Sequence, residues 1–315
     1  MITIHPLLPQ DAPAVAAMRQ ATTAHKGAPM GPEARPMFDG MFAATPAAAD
    51  VRVEAGTVGG IKGFWLRLAG ARPGARVLYI HGGGYVLGSA QAFTGFVGQI
   101  ALRAGADAFV PDYRLAPEHP FPAAIDDAVA VYHGLVAEGA ERIVVAGDSA
   151  GGGLTLALLS ILAADKTSGV VQPLGAAVMS PLTDLALAGE SFETRAEADP
   201  IFTRDVLKAF SDMYLQGQDA TQPKASPLYA QLGGLPPIRI DVGDSEVLLA
   251  DATRYAERAQ AAGVEVTLSV WEGMAHVFQS SLGQFVAAEQ SVDAIGEFLR
   301  QRLDDAVTPN AIKGA

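Results

Sequence analysis

The segment that most narrows what this chain can become lies between Arg142 and Ala164. A β-branched run, Arg142–Ala146, leads straight into Gly147-Asp148-Ser149-Ala150-Gly151-Gly152 and then into the apolar stretch Leu154–Ala164. The pattern is a strand, a tight turn and a helix, with G-x-S-x-G at the turn. A turn this sharp holds its serine in a strained backbone conformation. A Cβ at either flanking position would strike the neighbouring strand or helix, and Gly147 and Gly151 remove those clashes. Ser149 then projects above the sheet at a helix N-terminus, where partial positive charge favours a developing anion. A bare G-x-S-x-G arises often by chance, and a glycine-rich turn with a capping serine is the plainer alternative. The flanking strand and the long apolar helix favour a nucleophile.

The run Arg142–Gly147 and the earlier Arg76–Gly82 are apolar on both faces, as a central strand covered by helices on each side must be. The expected strands are Val51–Ala55, Ile61–Leu68, Ala75–Ile80, Ala106–Asp112, Arg142–Ala146, Leu174–Met179, Ile238–Val242 and Val264–Val270. Helical patterns cover Phe93–Ala104, Ala123–Glu138, Ala150–Ala164, Leu248–Ala262 and Phe285–Leu303. This alternation predicts an α/β fold: an eight-stranded, mostly parallel, doubly wound sheet flanked by helices, built from residues 46–184 and 226–303. Two regions break the rhythm. Residues 1–45 read as two Ala- and Met-rich helical stretches, and residues 185–225 as a helix-rich insert between the sixth and seventh strands. An amphipathic helix with no strand beside it must bury its apolar face elsewhere, so both are expected to form a cap over the C-terminal edge of the sheet. The tail, residues 304–315, is polar and Pro-broken and is expected to fray.

His81-Gly82-Gly83-Gly84 follows the strand Arg76–Ile80. Three consecutive glycines carry an entropic cost that neither helix nor strand justifies. They make sense where backbone N–H groups approach a ligand atom closely, as an oxyanion hole completed by the Ala150 amide requires. A phosphate loop fits poorly, because no G-x-G-x-x-G opens a helix here and no Walker lysine follows. His81 reads as a brace for the loop. Of the six histidines, only His276, beyond the last strand, occupies the place a general base must take in the order serine, acid, histidine. The acid belongs after Pro237–Val242, where Asp244 and Glu246 both qualify, since any buried carboxylate can fix the imidazole tautomer. Asp148 reads as a loop-bracing acceptor.

The succession of HGGG, Tyr113-Arg114-Leu115-Ala116-Pro117-Glu118 with Phe121-Pro122-Ala123, GDSAGG and Glu272-Gly273-Met274-Ala275-His276-Val277-Phe278 resembles the bacterial hormone-sensitive-lipase family of esterases, within the α/β-hydrolase superfamily. The likeness runs from about residue 50 to 300. It implies ester hydrolysis on short acyl chains without lid activation, an N-terminal cap, and oxyanion donors at Gly82, Gly83 and Ala150. It also implies Glu246 as the acid, because Glu246-Val247-Leu248 with Asp251 fits the family's acidic pattern. Most relatives have Asp followed by Pro there, so Asp244 stays open. Arg114 and Glu118 are expected to make buried ion pairs. Candidate lining residues of the substrate pocket are Phe38, Phe42, Tyr85, Leu87, Phe202, Met213 and Val277, with Met30, Met37 and Met41. Each has a plainer use in gluing cap to core. A homodimer through the edge of the last strand is a family-level expectation.

Half of the residues are hydrophobic and the formal net charge is −12. The chain has ample core, and it should repel nucleic acid and anionic membrane surfaces. The absence of cysteine excludes disulfides, thiolate metal sites and a Cys nucleophile, and fits a reducing compartment. Residues 1–15 lack a basic start and an uninterrupted apolar core, so they do not read as a signal peptide. The longest apolar stretch, Gly151–Ala164, is too short to span a bilayer. These features predict a cytoplasmic protein acting on a small-molecule ester, with no cofactor and no metal, as no His pair has ligand spacing. A ligand receptor on a dead hydrolase scaffold would have lost Ser149 or His276. Lactone, amide and carbamate hydrolysis share the same tetrahedral intermediate and remain open.

Overall fold

The computed structural model describes residues 1–165 and 171–305. Its nine strands are β1 (Ile2–His5), β2 (Val51–Val58), β3 (Ile61–Leu68), β4 (Ala75–Ile80), β5 (Asp107–Pro111), β6 (Arg142–Asp148), β7 (Ala176–Met179), β8 (Ile238–Gly243) and β9 (Val266–Trp271). They form one sheet in the order β1-β9-β8-β7-β6-β4-β5-β3-β2. Every pairing from β1 to β5 is parallel, and β3 pairs antiparallel with both β5 and β2.

The helices are α1 (Ala12–Thr23), α2 (Arg35–Ala43), α3 (Thr94–Ala104), α4 (Ala123–Ala137), α5 (Ser149–Ala164), α6 (Ser191–Thr194), α7 (Arg204–Leu215), α8 (Leu249–Ala261) and α9 (Val286–Asp305). Strand alternation sorts the core. Val77, Tyr79, Val144 and Ala146 face α3 and α9, whereas Leu78, Ile80, Ile143 and Val145 face α4 and α5. Further along the sheet, Ile238, Ile240 and Val242 pack on Tyr255 and Ala256 of α8. All these positions are buried. That double covering is what the apolar-on-both-faces strands demanded.

The sheet carries one strand more than the eight expected. The extra strand is β1, in the region read as wholly helical; α1 and α2 follow it as anticipated. Four residues closed by Pro6 leave little periodic signal, yet they pair in register with Leu268–Trp271. The Met1 ammonium adds a hydrogen bond to the Val266 carbonyl at 2.6 Å. β9 is therefore paired on both sides, so the edge proposed for a dimer through the last strand is covered. Residues 185–225 contain α6 and α7 as expected, now between the seventh and eighth strands. Of the tail expected at 304–315, Asp304 and Asp305 end α9 and the remainder lies outside the described residues.

The Tyr113–Ala123 loop is braced differently from expectation. Arg114 does pair with buried Asp127 at 2.6 Å, although its own side chain is half exposed. Glu118 is also half exposed and pairs at 2.7 Å with Arg35 of α2. Arg35 further donates to the carbonyls of Val86 and Ala116, tying α2 to this loop.

Candidate active site

The turn between β6 and α5 is as tight as its glycines suggest. Ser149 adopts φ +53°, a region strained for any residue bearing a Cβ. A Cβ on Gly151 would lie 2.1 Å from the Ile80 carbonyl oxygen, and one on Gly147 would lie 2.6 Å from that of Gly151. No side chain larger than hydrogen fits at either position.

The triple glycine at the end of β4 is equally constrained. Gly83 and Gly84 have φ +116° and +62°. A Cβ on Gly83 would fall 2.2 Å from the Leu87 carbonyl oxygen, and one on Gly84 2.7 Å from the Phe210 ring. Gly82 differs. Its amide donates to Asp148 Oδ1 at 3.0 Å, and the same oxygen accepts from the Tyr79 hydroxyl at 2.7 Å. Among the described residues the amides of Gly83, Gly84 and Ala150 donate to no protein acceptor. Gly83 and Gly84, not Gly82, border the cavity with Ser149. The expected trio of Gly82, Gly83 and Ala150 is thus corrected at its first member: a bonded amide turned toward Asp148 is not available to an oxyanion. Asp148 braces the loop as anticipated, and burial lifts its pKa to about 6 against the pull of those two hydrogen bonds.

His276 and Glu246 meet from the loops that follow the neighbouring parallel strands β9 and β8. Glu246 Oε2 lies 2.6 Å from His276 Nδ1. The other carboxylate oxygen accepts from the Ser180 hydroxyl at 2.8 Å and the Gly243 amide at 2.9 Å. Asp244, the alternative acid, points elsewhere: its Oδ1 accepts from the amide of Gly273 at 2.7 Å and the hydroxyl of Ser245 at 2.9 Å. Burial works to lower the imidazole pKa. The Glu246 hydrogen bond and charge, aided by the charges of Asp199 and Asp148, outweigh it, so the pKa is raised from 6.5. His81 is the opposite case. Wholly buried and stacked on Tyr113 at 4.3 Å, it is driven down to about 4, stays neutral, and holds the Gly82 carbonyl at 2.7 Å through Nδ1.

Ser149 and His276 line one cavity of about 230 Å³ together with Gly83 and Gly84. Its remaining wall is mostly apolar, with Thr22, Asp148, Ser280 and Ser281 the polar exceptions. Among the described residues no three His, Asp or Glu side chains cluster as metal ligands, and no helix is long and apolar enough to cross a membrane.

Residues 77–280 match the model of a family described as alpha/beta hydrolase fold. An acetyl-hydrolase of Streptomyces hygroscopicus is 39% identical over 246 residues, covering 78% of this chain and 81% of the relative. An esterase of Acinetobacter venetianus is 34% identical over 267 residues, covering 84% and 87%. Among solved structures, an esterase from the bacterial hormone-sensitive lipase family superposes with TM-score 0.86 at 38% identity, covering 94% of this chain and 99% of that one. The chain belongs to this family of esterases.

Within this family member the cavity wall departs from expectation at two places. Phe38, Phe42, Leu87, Phe202 and Val277 line it, as do Met30, Met37 and Met41. Tyr85 and Met213 do not. Tyr85 takes φ +65°, which turns its ring away to stack on Tyr214 at 3.9 Å. Met213 sits beside the α7 face formed by Leu207, Phe210 and Tyr214 and packs on the core instead. Three further residues near the site carry little signal in the sequence. Phe210 closes over Gly84, and only α7's helical period points to it. Ser180, at φ +46°, donates to Glu246 and accepts from the Val277 amide at 3.1 Å. Asp199, wholly buried, accepts from the amides of Ile201, Phe202 and Val247; an Asp-Pro pair in a polar stretch was its only signal.

Proposed function

We propose that this esterase-family protein hydrolyses short-acyl carboxylic esters through an acyl-enzyme on Ser149. The observation that carries the reading is the shared cavity: the Ser149 hydroxyl, a His276 imidazole held by buried Glu246, and the unbonded Gly83 and Gly84 amides all border one apolar space. Because Nδ1 faces Glu246, the tautomer carries its proton there and leaves Nε2 basic. In the reaction, Nε2 takes the Ser149 proton as Oγ attacks the ester carbonyl. The oxyanion is met by the amides of Gly83, Gly84 and Ala150 at the positive end of α5. The imidazolium, stabilised by Glu246, then protonates the departing alcohol. Water, deprotonated by the same imidazole, attacks the acyl-enzyme, and Ser149 leaves with the proton restored.

We read α1 and α2 with the 185–225 insert as the cap that closes this cavity, since Met37, Phe38, Ile201 and Phe210 come from them and Met30 from the segment joining α1 to α2. A cavity of about 230 Å³ lies below the range usual for drug-sized ligands, which favours a small acyl group. The naming of one relative as an acetyl-hydrolase points the same way. The lack of cysteine fits a cytoplasmic enzyme.

A fluorophosphonate probe and a panel of p-nitrophenyl esters, lactones and amides test the reading. Labelling should map to the peptide containing Ser149 and vanish in Ser149→Ala, whose folded protein should lose turnover by a factor on the order of 10⁴ or more. Acetyl to butyryl esters should be turned over fastest. Folded Ser149→Ala with undiminished esterase rate would refute the nucleophile, and lactones or amides outpacing every ester would refute the substrate class.

A further inference from the structure

Among the described residues Asp199 forms no ion pair with a lysine or arginine, so no cation explains its carboxylate. It is wholly buried in the segment between α6 and α7. Oδ1 accepts from the amides of Ile201 and Phe202, each at 2.8 Å, and Oδ2 accepts from the amide of Val247, also at 2.8 Å. One side chain therefore joins two parts of the site that are far apart in sequence. On one side it fixes Ile201 and Phe202, both in the cavity wall, and Phe202 stands edge-on to the His276 ring at 5.0 Å and 88°. On the other it fixes the residue that follows Glu246. Turn geometry alone needs only the first pair of hydrogen bonds; the third reaches 48 residues along the chain.

We infer that Asp199 is a positioning residue for the reaction: it holds the imidazole's apolar neighbour and the acid's backbone in one register, and places a second negative charge where imidazolium forms. The inference rests on His276 being the general base.

The charged groups acting on His276 are all acidic: Glu246 after β8, Asp148 at the end of β6 and Asp199 in the insert. Each favours the protonated ring. Removing the Asp199 charge lowers the imidazole pKa, so the ring stays a competent base to lower pH. The same removal weakens the imidazolium on which both chemical steps depend. An Asn side chain also turns either an NH2 group toward the Val247 amide or its only oxygen away from Ile201 and Phe202, because donors cannot satisfy donors.

The test is kcat and KM for p-nitrophenyl butyrate across pH in Asp199→Asn, Asp199→Ser and Asp199→Glu, with Ser149→Ala alongside. In a folded Asn or Ser variant kcat should fall tenfold or more while KM changes by less than about threefold. The acid limb of kcat/KM should move to lower pH. Asp199→Glu keeps the charge on a longer arm, so its limb should stay in place while kcat falls at least severalfold. A folded neutral variant whose limb does not move overturns the charge contribution. Should neither neutral variant fold, Asp199→Glu with wild-type kcat overturns the positioning role. If Ser149→Ala keeps its turnover, the reading of the site itself fails. If Ser149→Ala is dead while the Asp199 variants behave as wild type, only the inference about Asp199 falls.

Discussion

Glu246 Oε2 sits 2.6 Å from His276 Nδ1, while Glu246 Oε1 is held by Ser180 and Gly243. With both oxygens engaged, the carboxylate cannot rotate, and the imidazole is held in one tautomer. Glu246→Gln offers one oxygen where two are needed, and its NH2 group opposes either Nδ1–H or the Ser180 and Gly243 donors. The expected loss in kcat is on the order of 10³- to 10⁴-fold, with KM little changed. Asp244→Asn, which disturbs only the hydrogen bonds from Gly273 and Ser245, should leave kcat within about threefold and lower stability by about 1 kcal/mol. Steady-state kinetics on the pair checks the assignment; comparable losses from both would return Asp244 to contention.

The raised pKa of His276 sets the pH dependence. As the proposed base, His276 must be neutral to take the serine proton, so kcat/KM should rise with pH through a midpoint above 6.5. The group also bears on folding. A histidine pKa raised in the folded state adds stability that is fully present below 6.5 and is lost as pH climbs through the folded value. Activity and this part of stability therefore change in opposite directions across neutrality. Glu246→Gln removes the strongest influence raising the pKa and should move the residual activity midpoint downward. A midpoint below 6.5 in the wild type would mean that burial of the ring outweighs its hydrogen bond to Glu246, the reverse of the balance inferred from their geometry.

The Gly82 amide is bonded to Asp148 and the Gly84 amide is not, so the two glycines should fail differently. In Gly82→Ala the methyl group arrives 2.2 Å from an Asp148 oxygen, and the loss should appear chiefly as a lower melting temperature. In Gly84→Ala the methyl meets the buried Phe210 ring at 2.7 Å, and the backbone at φ +62° resists a Cβ by roughly 1–2 kcal/mol. Displacing that amide should cost kcat on the order of 10²- to 10³-fold, the usual cost of one oxyanion donor. Melting curves and kcat measured side by side separate the two. Equal kcat losses at equal stability would return the donor role to Gly82.

Much of this site is legible in sequence, for physical reasons that also mark where legibility ends. Ser149 and Gly83 announce themselves because tight turns and close backbone approach force glycine at fixed spacing. His276, the proposed base, is legible because the fold admits one loop for that role. The choice between Glu246 and Asp244 is not, since both are carboxylates in one loop and only the path of that loop past Gly243 decides which reaches the imidazole. The Gly82 amide is lost to an acceptor 66 residues away. Tyr85 is misread because its backbone flips into the left-handed region, which an aromatic residue rarely adopts. β1 escapes because four residues carry too little periodicity to compete with the helices after them.

Asp251 should tune stability with pH. Oδ1 accepts from the amides of Thr183 and Asp184, but Oδ2 is buried without a donor. Burial raises its pKa from 3.8 to about 7, although the Thr183 amide opposes that rise. A raised carboxyl pKa gives stability that is complete below 3.8 and disappears as pH rises through about 7. Asp251→Asn mimics the protonated form at all pH. The wild-type melting temperature should fall by a few degrees between pH 5.5 and 8.5, and the variant's fall should be smaller. Scanning calorimetry at the two pH values decides it; identical falls in both proteins mean that Asp251 is ionised throughout.

Acyl preference should follow from the wall that Phe38 provides. This half-buried ring lies 4.9 Å from Phe42 and borders the cavity. Phe38→Ala removes a ring from the cavity wall while Phe42, stacked on Phe93 at 4.0 Å, keeps the deeper packing in place. Each methylene newly accommodated is worth about 0.8 kcal/mol. Two of them should raise kcat/KM for hexanoyl relative to butyryl esters by about tenfold. The acetyl ester gains nothing from space it does not fill and should lose slightly through weaker exclusion of water. A p-nitrophenyl ester series from two to eight carbons, compared in wild type and variant, reads the shift directly. An unchanged optimum means that the acyl chain lies along another wall and Phe38 contacts the alcohol.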